Sequence, residues 1–228
     1  MNINLSKLCA DFLRQNYAFQ STENLKASHA RELVAAFFGY KSHAALIAEK
    51  TYPLIQLEEV PIFIPDIPLI NDRHSKLTGL PNDLTMSEDL AKLLLDMLVD
   101  KGLYSGKVCL NASLETFVEE VILPENQSFI DDELSPMMAE TNAIFYDAPD
   151  YYDVKIEDRG DILLAIAKGK YKGKQLDDKP FCGDTLDISV HVTFRRMAGK
   201  RGFDDSEIEV GARVNNNWID DELLYELD

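Results

Sequence analysis

Residues 25–50, LKASHARELVAAFFGYKSHAALIAEK, constrain the fold more tightly than any other stretch, because they read as two short helices hinged on one glycine. Leu33, Val34, Ala36, Phe37 and Phe38 cover one wide face of the first helix. Ser28 is placed to cap it, and Gly39 falls where a left-handed stop is wanted. Ser42 then caps a second helix, whose Ala44, Ala45, Leu46 and Ala48 form a thin apolar face turned toward the phenylalanines. Glu32 early in the first helix and Lys50 late in the second both suit the helix dipole.

The succession Ser28, His29, Glu32, then Phe38-Gly39-Tyr40, then Ala45 and Leu46 resembles the small helical module of bacterial glyoxalase-related proteins, over residues 22–50. The resemblance implies a docking or scaffold module attached to something else. It brings no glyoxalase site, since no pattern in the chain assembles the His and Glu metal ligands of that chemistry.

Beyond residue 50 the chain reads as an α+β protein. With 228 residues, 46% of them hydrophobic, it can bury a core. We expect a helical module at 1–52, a proline-rich connection or edge strands at 53–82, and an α+β domain at 83–228 with a C-terminal antiparallel sheet. Pro53, Pro61, Pro65, Pro68 and Pro81 break the helices of the connection, leaving residues 60–64 and 67–70 as extended pieces. Ser87, Glu88 and Asp89 open a helix whose Leu90, Leu93, Leu94, Met97 and Leu98 are core-facing, with Gly102 past its end. Residues 113–121 read as a helix stopped before Pro124, and 131–141 as another. The period then changes to two. Leu186, Ile188, Val190, Val192 and Phe194 alternate with Asp187, Ser189, His191 and Thr193, and residues 207–214 repeat the alternation. With strands at 154–156 and 161–172, this predicts an antiparallel meander covered on one face by the preceding helices.

Cys9, Cys109 and Cys182 are far apart and lack C-x-x-C spacing, which argues against a disulfide framework or zinc site and for a reducing cytoplasm. No signal-peptide pattern and no apolar run of membrane-spanning length is present, so no membrane association is expected. No cofactor is expected either. His29, His43, His74 and His191 form no H-E-x-x-H, and Asp147, Asp150 and Asp153 lack the glycine and distal Glu of a calcium loop.

The formal charge of -17 is unevenly spread. Residues 51–150 hold 5 Lys/Arg against 19 Asp/Glu, and residues 201–228 hold 2 against 9. Between them, residues 151–200 are mildly basic, with 10 against 8. Two candidate surfaces follow. Lys168, Lys170, Lys172 and Lys174 alternate around Tyr171, and with Arg195 and Arg196 they form a basic strand suited to phosphate, Tyr171 stacking on a base. Edge-strand protection against aggregation explains the same lysines. Asp131, Asp132, Glu133 and Asp220, Asp221, Glu222 form acidic runs that suit a basic partner or simply solvate a face. We expect a non-enzymatic acidic interaction protein engaging a basic protein, such as a nucleic-acid-binding protein or a toxin. A nucleic-acid accessory factor using the lysine strand, and a hydrolase or lyase without a recognisable motif, are the alternatives. Self-association through the acidic and basic regions of two copies stays open.

Overall fold

The computed structural model describes residues 4–21, 23–108, 110, 113–180 and 182–215. Helices lead. α1 (Leu5–Gln20), α2 (Ala27–Phe37) and α3 (His43–Ala48) are followed by a 3-10 turn at Leu54–Glu59, β1 (Ile62–Phe63), α4 (Ile67–Lys76), α5 (Ser87–Asp100) and β2 (Lys107–Val108). α6 (Leu114–Phe117), a π turn at Val118–Ile122, α7 (Leu123–Glu125) and α8 (Gln127–Glu140) come next. Strands then dominate: β3 (Ala143–Ile144), β4 (Asp150–Asp158), β5 (Ile162–Lys172), β6 (Lys174–Gln175), β7 (Thr185–Ala198), β8 (Gly202–Phe203) and β9 (Glu207–Val214). The class is α+β, with an antiparallel sheet as expected.

The chain folds as two compact units, the first comprising Met1–Phe117, Gly160–Ile162 and Phe194–Ser206. Its centre is α2, whose Ala30, Leu33, Val34, Ala35, Ala36 and Phe37 are all buried. α2 packs on α1 and α4. Gly39 has φ +84°, the left-handed stop that the hinge requires. Tyr40 N donates to Ala35 O and Gly39 N to Ala36 O, both at 2.8 Å, so the end of α2 is closed by the paired bonds of a Schellman motif. Ser42 caps α3 through Ala45 N. Ser28 does not cap α2: the helix starts one residue before it, after an extended Lys26 that makes no side-chain cap.

The proline-rich stretch is more regular than its composition implies. Residues 67–70 are not extended but open α4, because Asp66 caps Leu69 N and Pro68 sits in the first turn, where no intrahelical donor is needed. β1 is not an edge strand. It lies between β2 and β8, with Pro61 and Pro65 flanking the paired residues rather than entering the ladder. Phe63 anchors this unit among Phe37, Phe38 and Tyr104, with ring centroids 5.1, 5.6 and 6.0 Å away.

The second unit comprises Val118–Arg159, Leu163–Thr193 and Glu207–Asp228. Pro124 does not stop the helical run as expected: after a π turn at Val118–Ile122 it sits in the first turn of α7, where no intrahelical donor is needed, and α8 follows. β4, β5, β7 and β9 lie side by side in chain order, and β4 against β5 and β7 against β9 are antiparallel. Leu186, Ile188, Val190 and Val192 are buried as their period-two pattern predicts, while the intervening side chains are part-exposed. The π turn packs on β4 and α8 packs on β9.

Candidate functional site

β5 carries three of the four lysines on one face. Ala167, Gly169 and Tyr171 are buried while Lys168 and Lys172 are exposed and Lys170 is half-buried. β5 lies between β4 and β7, so edge protection does not account for these lysines. The register with β4 sets Asp153 opposite Lys168 and Asp150 opposite Lys170. The basic strand is thus faced by carboxylates along half its length. Lys174 leaves the row, because Gly173 interrupts the strand and β6 pairs with β3 instead.

Tyr171 is 4% exposed and packs edge-on against Phe145 at 5.1 Å. Burial first, then the Asp131 carboxylate, pushes its phenol up to about 12. It is a core residue and is not available to stack on a base. Arg195 and Arg196 belong to the first unit and the lysines to the second. Arg196 donates to the backbone carbonyls of Gly160 and Lys200, closing the turn at residues 199–201.

On α8, Asp131 is half-buried; it accepts from Gln127 Nε2 at 2.7 Å and faces Tyr171. Burial, then Asp131, likewise holds the Tyr151 phenol above its ordinary range. Asp132 and Glu133 are exposed and carry no ion pair among the described residues. Pro136, also exposed, lies inside the helix and has no N–H for the Asp132 carbonyl four residues back. Asp132, Glu133 and Pro136 share one helix face. Asp220, Asp221 and Glu222 lie outside the described residues.

The charge divides between the units in a way the linear blocks conceal. The first unit holds 15 Lys/Arg against 17 Asp/Glu, formally -2. The described residues of the second hold 8 against 18, formally -10. What hides this in the sequence is that residues 51–117 go to the first unit, and Arg195, Arg196, Lys200 and Arg201 go with them. The facing of Asp150 and Asp153 to the lysines could not be counted from the sequence: a two-residue Arg159-Gly160 turn would set Asp153 opposite Ile166, whereas the ladder starts at Asp158 opposite Leu163 and shifts register between Tyr151 and Asp153.

Among the described residues no group of three or more His, Cys, Asp and Glu side chains is placed to hold a metal ion, and no helix is long and apolar enough to cross a membrane. Comparison of the chain with protein-family models, with curated proteins and with solved structures finds no match in any of the three.

Proposed function

We propose that the chain is a non-enzymatic binding protein whose acidic second unit engages a basic protein, such as a nucleic-acid-binding protein or a toxin. The charge partition carries this reading: of the net charge of -12 on the described residues, -10 falls in the second unit. A field of one sign concentrated on one unit speeds encounter with a basic partner and repels nucleic acid. The exposed face of α8 supports the reading further, since Asp132 and Glu133 present unpaired carboxylates and Pro136 leaves the Asp132 carbonyl without its helical donor. Such an acceptor-rich face suits Lys and Arg side chains. The N-terminal hinged module, through its resemblance to the glyoxalase-related module, fits a scaffold role beside it.

Affinity capture from the host lysate at low and moderate salt, with and without nuclease, tests the reading. Wild-type chain is expected to retain a protein at low salt that survives nuclease and is released as salt rises. A chain carrying Asp132→Asn and Glu133→Gln is expected to retain about ten-fold less. Equal capture by the neutralised chain, or loss of all captured protein after nuclease, would sink the proposal.

A further inference from the structure

Gly211 lies in the interior of β9 opposite Ser189, and its neighbours give no reason for a glycine. Its φ lies outside the left-handed region. Chain neighbours aside, a Cβ built there would meet nothing nearer than the Ser189 carbonyl oxygen at 3.9 Å. A glycine inside a strand costs roughly 0.5–1 kcal/mol relative to alanine. Such a glycine often marks a bulge, a tight bend or a close approach by a ligand or another backbone, and the unbroken register of β7 with β9 leaves out the bulge.

Beside Gly211 the open face of the sheet sinks into a cavity of about 410 Å³, lined by Tyr152, Lys168, Asp187, Ser189 and Arg213 together with the glycine backbone. That volume is within the range of small-molecule sites, about 300–1,000 Å³. The lining is rich in uncommitted donors. Neither the Lys168 ammonium nor the Ser189 hydroxyl makes a hydrogen bond or ion pair among the described residues. Asp153, opposite Lys168, gives its Oδ2 to Lys155 at 3.0 Å. Arg213 is 82% exposed and touches Asp187 Oδ2 through Nε at 3.5 Å, leaving most of its fork open. Asp187 is the one acid of the lining, and its other oxygen already accepts from Asn215 Nδ2 at 3.0 Å. Tyr152 is 63% exposed, its ring uncovered. Solubility does not explain two cations, a free hydroxyl and a bare aromatic ring gathered in a strongly acidic unit.

We propose that this dish binds a small phosphate ester carried on a planar ring. The phosphate oxygens take Lys168, Arg213 and the Ser189 hydroxyl, and the ring lies over the Gly211 backbone against Tyr152. A phosphate fits better than a lone carboxylate because its several oxygens match an ammonium and a guanidinium at once.

Amide NMR of the full chain, titrated separately with phenyl phosphate, inorganic phosphate and phenol, tests this. Phenyl phosphate is expected to shift the Gly211 and Ser189 amides saturably and at lower concentration than inorganic phosphate, while phenol leaves them in place. Gly211→Val fills the dish and is expected to weaken binding about ten-fold or more without lowering the melting temperature. Lys168→Gln, which leaves the strand's packing alone, is expected to weaken it about ten-fold. Absence of a saturable shift, or unchanged affinity in Lys168→Gln, would overturn the site. Equal affinity for inorganic and phenyl phosphate would overturn the role given to the ring.

Discussion

Replacing Gly39 with alanine perturbs two things that the structure separates. Its φ of +84° is left-handed, a conformation that costs an L-residue about 1–2 kcal/mol. Independently, the new Cβ would stand 2.7 Å from Arg201 Cγ and 3.0 Å from Lys200 Cβ. Arg201 cannot simply swing away: its side chain is 14% exposed, Nε donates to Ile64 O at 3.0 Å, and Asp66 Oδ2 lies 3.7 Å off. Crowding a packed site of this kind costs about 1–3 kcal/mol more. The expected loss is therefore about 2–5 kcal/mol. Urea unfolding followed by a probe specific to the first unit, such as amide exchange of the α2 interior, measures it, because a whole-chain transition mixes two units. Arg201→Ala removes the Cγ and Cδ that the new methyl meets and leaves the Lys200 contact, so in the double variant the alanine should cost less than in the wild-type background but still at least the backbone part of about 1–2 kcal/mol. A loss below about 0.5 kcal/mol in Gly39→Ala would refute the left-handed hinge, and an unchanged cost in the Arg201→Ala background would refute the crowding.

Glu49 accepts from Thr51 N at 2.7 Å, Tyr52 N at 3.2 Å and the Tyr40 hydroxyl at 2.9 Å. Burial raises its carboxyl pKa, but these bonds outweigh burial and hold it below the ordinary 4.5. The stability it lends is present above the unfolded carboxyl range and is lost as pH falls through the lower folded value. Glu49→Gln should cost about 1 kcal/mol at neutral pH and should flatten the loss of stability in acid; parallel stability curves for the two chains below pH 4.5 would refute the assignment. Cys9 is fully buried, and burial pushes its thiol up to about 12, whereas Cys182 is exposed. Iodoacetamide at mildly alkaline pH should modify Cys182 in the folded chain and leave Cys9 intact until denaturant is added, as read by peptide mass spectrometry. Modification of Cys9 at the rate of Cys182 would refute its burial.

Elements specified by local signals were legible in the sequence; those decided by partners were not. The glycine stop after α2, the Ser42 cap and the period-two strands follow from residues within a few positions of one another, and all appear where expected. Pro68 misleads because the same residue breaks a helix interior and opens a helix start, and only the Asp66 cap two residues before it decides which. The lysine row was visible as a pattern, but its role depended on what stands across from it. Tyr171 lies on the face opposite the lysines, so the alternation that exposes them buries the ring. The charge partition could not be read along the chain, because it depends on which segments share a core. Arg195 and Arg196 follow Phe194, whose ring packs 5.7 Å from Phe203 and 6.3 Å from Phe117 within the first unit. Two aromatic contacts from distant parts of the chain thus hold Phe194 in the first unit, and Arg195 and Arg196 are counted with it, which leaves the second unit with its large excess of acid.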